Sequence, residues 1–155
     1  MAHSSLVVYG SEEMRALGRR LGRQLIPGDV VLLHGDLGAG KTTLAQGVAE
    51  ALGVKGVTQS PTFTLISAYS ATLAGGLPAT LYHLDLYRLD DPSELEDIGW
   101  EEAIDPGSDV TVVEWPERAG DWLPDAYILV SIAHRDVDSR EVTITTVPET
   151  RTITF

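Results

Sequence analysis

Cysteine is absent from the 155-residue sequence, and lysine occurs only twice, at Lys41 and Lys55. Without cysteine, neither a disulfide framework nor a cysteine-ligated metal site can form, and a reducing compartment is the expected setting. The first residues carry no basic segment followed by an apolar one, so no secretory signal is expected. No apolar run approaches the ~18 residues that cross a bilayer. We therefore expect a cytoplasmic protein without membrane contact.

Positive charge is scarce throughout the chain. Lysine and arginine total 11 against 23 aspartates and glutamates, which gives a formal net charge of −12. Domains that bind a phosphate backbone by themselves are usually basic, so strong direct binding of nucleic acid is not expected. Between positions 85 and 125, fourteen acidic residues stand against two basic ones, Arg88 and Arg118. This segment is either a solvated, solubilising face or a docking surface for a basic protein partner.

Short apolar runs and turns predict an α/β fold. Residues 30–33 form a continuous apolar run, typical of a strand buried on both faces of a sheet. Residues 110–113, three valines and a threonine, predict another buried strand. Residues 63–69 and 80–86 predict two more strands, and the short connection at 73–78 favours an antiparallel pair. With helical periodicity between such strands, the pattern predicts a mixed parallel and antiparallel central sheet. The length fits one compact domain.

A glycine-rich loop directly follows the first buried run. Residues 35–42 have the sequence GDLGAGKT, which matches the P-loop pattern G-x-x-x-x-G-K-[ST]. Its glycines let successive backbone N–H groups point into one concavity, and the following helix N-terminus adds partial positive charge. Lys41 can reach the β- and γ-phosphates of a nucleoside triphosphate, and the Thr42 hydroxyl can ligate Mg²⁺. The predicted nucleotide contacts in and beside the loop are Asp36, Leu37, Gly38, Ala39, Gly40, Lys41, Thr42 and Thr43.

Two carboxylates end apolar strands, as the acids of P-loop hydrolases do. Asp85 follows residues 81–84, and Glu114 follows residues 110–113. Hydrolysis needs an acid on the metal side and a group that orients water. One of the two would hold Mg²⁺, directly or through water, while the other polarises the attacking water. Lys41, Asp85 and Glu114 are the candidate catalytic residues, and the pattern leaves the division between the two acids open.

The segment after the P-loop helix supplies two more candidates, Ser60 and Thr62. Their hydroxyls lie where switch segments of P-loop proteins sit and could sense the γ-phosphate or Mg²⁺. Pro61 restricts the conformations of this segment. A simple turn at the entry of a strand is the alternative interpretation. Elsewhere, His83 is interpreted as a hydrogen-bonded core residue and Trp115 as a partly packed one.

Together these motifs resemble one family, the bacterial TsaE (formerly YjeE) ATPases. The resemblance runs from about residue 11 to residue 117. The P-loop by itself is generic, and the combination of four motifs on one short chain makes the match specific. In order, the motifs are GDLGAGKTT at 35–43, SPTFTL at 60–65, HLDLYR at 83–88 and EWPE at 114–117.

The resemblance implies a fold, an activity and partners. The fold is a three-layer P-loop NTPase fold whose central sheet has mixed strand directions. The activity is the binding and slow hydrolysis of ATP with Mg²⁺, in support of TsaB and TsaD, which make N6-threonylcarbamoyladenosine at position 37 of tRNA. Carried over by position, Ser60 and Thr62 belong to the switch, and Asp85 and Glu114 are the acids near the metal.

Two other functions agree with the P-loop. A small-molecule kinase would carry a lid with arginines that clamp the transferred phosphate. Residues 56–125 contain only two basic residues of the Lys and Arg type, Arg88 and Arg118. A nucleotide-sensing module without catalysis would bind ATP but would not need the two acids. Adenine is favoured over guanine by the resemblance, since no N-K-x-D guanine-binding motif is present.

Overall fold

A computed structural model describes residues 2–54 and 65–155 and confirms the predicted α/β fold. Within those residues, seven strands form one sheet and three α-helices accompany it. The strands are β1 (Ala2–Tyr9), β2 (Val30–Gly35), β3 (Ile66–Leu73), β4 (Leu77–Asp85), β5 (Val110–Glu114), β6 (Tyr127–His134) and β7 (Ser139–Val147). The helices are α1 (Gly10–Gly22), α2 (Lys41–Ala51) and α3 (Trp100–Ile104), with short 3₁₀ helices at Ala74–Gly76, Pro92–Ile98 and Pro116–Trp122.

The sheet mixes strand directions as predicted. Its order is β1-β7-β6-β2-β5-β4-β3. The four central strands β6, β2, β5 and β4 run parallel, whereas β3, β7 and β1 pair antiparallel with their neighbours. Carboxyl ends of parallel strands meet at one edge, which is where open α/β sheets bind ligands. The P-loop after β2, Asp85 at the end of β4 and Glu114 at the end of β5 therefore share one edge.

Both faces of the sheet are covered, which gives three layers. Side chains alternate between the faces along a strand, and β2 shows this. Val31 and Leu33 pack in a core cluster with residues of α1 and α2. Val30 and Leu32 pack on the opposite face in a second cluster, which includes Trp100 of α3. The uninterrupted apolar sequence of β2 follows from burial on both sides.

The β3–β4 hairpin differs in its bounds from the prediction. The two strands pair antiparallel as expected, but they extend to Leu73 and back from Leu77, into the residues predicted as a connection. Gly75 and Gly76 have φ values of +82° and +79°. Two successive left-handed glycines reverse the chain in very few residues, so the strands are longer than the loop composition indicated. The first residues of the predicted strand, 63 and 64, lie outside the described residues.

The helices α1 and α2 pack with unusually close backbones. A Cβ atom added to Gly18 would lie 2.1 Å from the Leu44 carbonyl oxygen, and one added to Gly47 would lie 2.1 Å from the Arg15 carbonyl oxygen. The exposed edge of this contact carries ion pairs from Arg15 and Arg19 to Glu50, at 2.9 and 3.0 Å. The close contact fixes the position of α2, whose first residue is Lys41. No helix in the described ranges combines the length and apolar character needed to span a bilayer.

Candidate functional site

The P-loop connects β2 to α2 in a backbone shape that depends on glycine. Gly38 and Gly40 adopt φ values of +78° and +116°, a region that residues with a Cβ rarely enter. At Gly35, a Cβ atom would approach the carbonyl oxygen of Ile132 on β6 to 2.7 Å. The loop then leads into α2, whose N-terminus carries the partial positive charge of the helix dipole. This arrangement is the one that binds phosphate in P-loop proteins.

Lys41 is almost buried at the base of the loop, with 5% of its surface exposed. Its Nζ donates hydrogen bonds to the carbonyl oxygens of Gly35 and Asp36, the latter at 3.2 Å. Burial lowers the pKa of the Lys41 ammonium below its ordinary value, and the carboxylates of Glu114 and Glu117 oppose that shift. The nearby negative charge thus favours the cationic form that a phosphate would bind.

Glu114 lies at the centre of the candidate site and is 2% exposed. Its Oε1 accepts a hydrogen bond from the Thr42 hydroxyl at 3.1 Å. Its Oε2 lies 2.7 Å from Nε2 of His83, which is buried as well. Strand register places Asp85 directly opposite Glu114 on the neighbouring strand. Asp85 is half-buried, and its Oδ1 accepts a hydrogen bond from the Tyr87 backbone N–H at 3.0 Å.

These groups surround one cleft of about 290 Å³. Its floor and walls include every predicted P-loop contact together with both predicted acids. Sequence reasoning did not place Tyr87 and Trp115 in this site, yet both line the cleft. The full lining comprises Asp36, Leu37, Gly38, Ala39, Gly40, Lys41, Thr42, Thr43, Asp85, Tyr87, Glu114 and Trp115.

An aromatic pair closes one side of the cleft. The ring centroids of Trp115 and Tyr87 are 4.9 Å apart, and the Lys41 Nζ lies 3.6 Å from the Trp115 ring centroid. Cations are attracted to the faces of aromatic rings at this distance. On the outer side, the Arg118 guanidinium carbon lies 5.8 Å from the Tyr87 ring centroid. The sequence gives one indication that Tyr87 and Trp115 belong to the site: each follows one of the two acids at a strand end.

A second cavity of about 290 Å³ lies on the other side of the P-loop. The N-terminal turn of α1 contributes Gly10, Ser11 and Met14, and the β6–β7 turn contributes Val137, Asp138 and Arg140. Gly38, Gly40 and Thr43 line this cavity as well as the first cleft. The two cavities therefore meet at the loop, one with carboxylates and a lysine, the other with mixed polar and apolar walls.

Ser60 and Thr62 fall at positions 55–64, outside the described residues. The remaining predicted site residues all line the first cleft.

The oxygen donors at this cleft fit a magnesium ion bound together with a nucleotide. Mg²⁺ prefers oxygen ligands and is usually held by one or two carboxylates, water and substrate phosphates rather than by an all-protein cage. Thr42, Asp85 and Glu114 supply a hydroxyl and two carboxylates at one sheet edge. Among residues 2–54 and 65–155, no group of three His, Asp or Glu side chains is arranged to hold a metal ion by itself.

Comparison with known proteins extends the resemblance beyond the four motifs. A protein-family model described as "Threonylcarbamoyl adenosine biosynthesis protein TsaE" matches residues 8–142. The tRNA threonylcarbamoyladenosine biosynthesis protein TsaE of Bacillus subtilis is 43% identical over 136 residues, which cover 88% of this chain and 81% of that protein. The protein of the same name from Nostoc sp. is 46% identical over 146 residues, covering 92% and 85%.

A solved structure is similar over nearly the whole chain. The crystal structure of Bacillus subtilis YdiB matches with a TM-score of 0.75 and 33% sequence identity. The match covers 96% of this chain and 88% of that one. The motifs, the fold and the relatives therefore agree, and the chain belongs to the family of the threonylcarbamoyl adenosine biosynthesis protein TsaE.

Proposed function

We propose that this protein binds ATP with Mg²⁺ and hydrolyses it slowly, as an accessory ATPase in the biosynthesis of threonylcarbamoyladenosine in tRNA. The observation that carries the proposal is the convergence of Lys41, Thr42, Asp85 and Glu114 on one cleft beside the P-loop. The relatives named for tRNA threonylcarbamoyladenosine biosynthesis support the pathway. The cleft supplies the chemistry that phosphoryl transfer requires, which is positioning and electrostatic stabilisation.

The phosphates would bind the loop and Lys41. Backbone N–H groups of the loop, shaped by Gly38 and Gly40, donate to phosphate oxygens. The Lys41 ammonium reaches the β- and γ-phosphates after exchanging the carbonyl oxygens of Gly35 and Asp36 for phosphate oxygens. Gly40 and Thr43 line both this cleft and the second cavity. That cavity, beside α1, would receive the nucleoside.

The hydrogen bond from Thr42 to Glu114 supports different roles for the two acids. Glu114 bonds to the hydroxyl that P-loop proteins present to Mg²⁺, so we assign it to the metal side. Asp85 lies one strand further from the P-loop and lines the same cleft, where it can orient the attacking water. When bound, Mg²⁺ would neutralise negative charge on the phosphate oxygens.

The acidic surface supports the proposal that partner proteins bind this protein and respond to its nucleotide state. Within the segment at 85–125, acidic residues on α3 and on both flanking 3₁₀ helices are exposed, among them Glu94, Glu101, Glu102 and Asp121. Negative charge of this density disfavours direct tRNA binding. We propose that TsaB and TsaD contact this protein and that tRNA is bound by them, in the cytoplasm.

Substitution of the acids tests catalysis. Glu114→Gln keeps the shape of the side chain but removes its charge, and we expect the ATP turnover rate to fall about 100-fold. Asp85→Asn is expected to lower turnover to a similar extent because it no longer orients water as a base. Steady-state phosphate release, measured beside ATP binding by calorimetry, separates loss of turnover from loss of binding. Both variants should still bind nucleotide.

A matched control is Glu101→Gln, which removes one carboxylate from an exposed position on α3. Its turnover should equal that of the unmodified protein. If neither Glu114→Gln nor Asp85→Asn changed phosphate release, the two acids would not be catalytic and a nucleotide-sensing module would be the better description. Phosphoryl transfer to a small acceptor faster than hydrolysis would instead indicate a kinase.

Binding of TsaB and TsaD is tested by affinity capture. Affinity capture of purified TsaB and TsaD by the tagged protein should depend on ATP and Mg²⁺, since the nucleotide state is the proposed signal. We expect retention with a non-hydrolysable ATP analogue and weaker retention without nucleotide. Absence of capture under every nucleotide condition would remove the partner assignment while leaving ATP binding intact.

A further inference from the structure

His83 is the buried polar residue of β4 that the proposed chemistry does not yet use. Its residue surface is 2% exposed, and its Nε2 lies 2.7 Å from Glu114 Oε2. An ionised carboxylate offers only acceptors. With Glu114 ionised, as its proposed role on the metal side requires, the imidazole donates its Nε2–H to the carboxylate.

The two oxygens of Glu114 have different partners. Oε1 accepts from the Thr42 hydroxyl at the start of α2, and Oε2 accepts from His83 on β4. The carboxylate is thus held from opposite sides by a helix and a strand. Loss of the His83 bond would remove one of the hydrogen bonds that orient the carboxylate and one donor that stabilises its charge.

We propose that His83 is a positioning residue that orients Glu114 toward Thr42 and thereby couples Mg²⁺ to nucleotide binding. This inference rests on the proposed function, because it assigns His83 a role at the same metal side. Residues that hydrogen-bond to metal-site groups from behind fix their orientation, and losing one typically costs about 10- to 100-fold in metal affinity or activity.

Packing alone does not account for a histidine at this position. The neighbours of His83 on its own face of the sheet belong to an apolar core cluster: Leu81 lies two positions earlier on β4, and Val112 is paired with His83 on β5. An aliphatic side chain would fill the volume without the cost of burying an imidazole. A buried carboxylate, in contrast, requires a hydrogen-bond donor. The pairing of the two buried polar residues explains both.

The test compares His83→Gln with His83→Asn. Both place an amide donor at position 83, but the glutamine amide nitrogen reaches the location of Nε2 and the asparagine amide falls short of it. The measurement is the affinity for a non-hydrolysable ATP analogue with Mg²⁺ and with EDTA, by calorimetry. In the unmodified protein and in His83→Gln, Mg²⁺ should tighten binding. In His83→Asn, we expect the ratio of the affinity with Mg²⁺ to the affinity with EDTA to fall about 10-fold or more. The affinity with EDTA itself should stay unchanged.

Three outcomes would overturn the inference, and a fourth would overturn the proposed function. Equal weakening with and without Mg²⁺ in His83→Asn would indicate a merely structural role and overturn the inference. So would an enhancement in His83→Asn equal to that of the unmodified protein, or no enhancement in the unmodified protein. If the unmodified protein bound no nucleotide at all, the proposed function itself would be wrong.

A second measurement needs no variant and remains decisive if His83→Asn does not fold. Nitrogen-15 NMR of the histidine side chains reports which ring nitrogen carries the proton. His83 should carry it on Nε2, with slow exchange because of burial, in the free protein and in the complex with Mg²⁺ and the ATP analogue. A proton on Nδ1 alone in either state would exclude the bond to Glu114 and overturn the inference.

Discussion

Replacing Lys41 with methionine is expected to raise the dissociation constant for ATP about 100- to 1,000-fold. Hydrogen bonds to charged groups contribute about 1.5–3 kcal/mol each, and Lys41 can make two of them to the β- and γ-phosphates. Methionine keeps much of the side-chain volume and packs well in partly apolar surroundings. The change therefore removes the ammonium without opening a large cavity.

Two such bonds would amount to about 3–6 kcal/mol, or roughly 150- to 25,000-fold, and the nucleotide-free contacts of Lys41 keep the expected change near the lower end of that span. Its Nζ is already bonded to the carbonyls of Gly35 and Asp36 and lies against the Trp115 ring. ATP must replace these contacts, so only the difference between carbonyl and phosphate partners contributes to affinity. The same exchange would free the Trp115 ring from the ammonium and move the aromatic side of the cleft.

Arg23→Met is the matched control for Lys41→Met. Arg23 is exposed beyond the end of α1, and its substitution changes the net charge by the same amount away from the cleft. We expect its dissociation constant, measured by calorimetry, to stay within a factor of two of the unmodified protein. A dissociation constant for Lys41→Met close to that of Arg23→Met would mean that the phosphates do not bind beside Lys41.

The sequence predicted the fold where a local pattern determines the structure. The apolar run of β2 followed by the glycine-rich loop indicates a buried strand that ends at the loop, and the structure has it there. Asp85 and Glu114 were identified because each ends an apolar run, and parallel strands bring such ends together. The length of the β3–β4 turn is harder to predict, because the loop composition does not show how few residues the chain reversal needs.

The contacts around Glu114 depend on strand register, which the sequence does not contain. His83 and Glu114 are 31 positions apart and meet because β4 pairs with β5 in a particular alignment. A shift of one residue would turn His83 to the other face of the sheet. Trp115 is a similar case, since its φ of +59° is unusual for a residue with a side chain. Nothing in its neighbours along the chain indicates that conformation.

Gly47→Ala is expected to lower the free energy of unfolding by about 3 kcal/mol or more. A methyl group there would lie 2.1 Å from the Arg15 carbonyl oxygen of α1, far inside contact distance. Helix α2 cannot easily retreat, because Leu44 and Val48 are fully buried in the core cluster it shares with β2. Since α2 begins at Lys41, any displacement should also weaken nucleotide binding. Urea denaturation measures the first effect, and calorimetry the second.

The direction of the change in unfolding free energy distinguishes a steric clash from helix propensity. At an unhindered helical position, glycine-to-alanine substitution stabilises by about 0.5–1 kcal/mol, so ordinary helix propensity predicts the opposite change. Gly107→Ala serves as the control, because a Cβ there meets nothing within 4 Å despite a φ of +61°. Its cost should be limited to about 1–2 kcal/mol of backbone strain. A stable Gly47→Ala with unchanged ATP affinity would show that the two helices can separate, and that their close contact does not fix the P-loop.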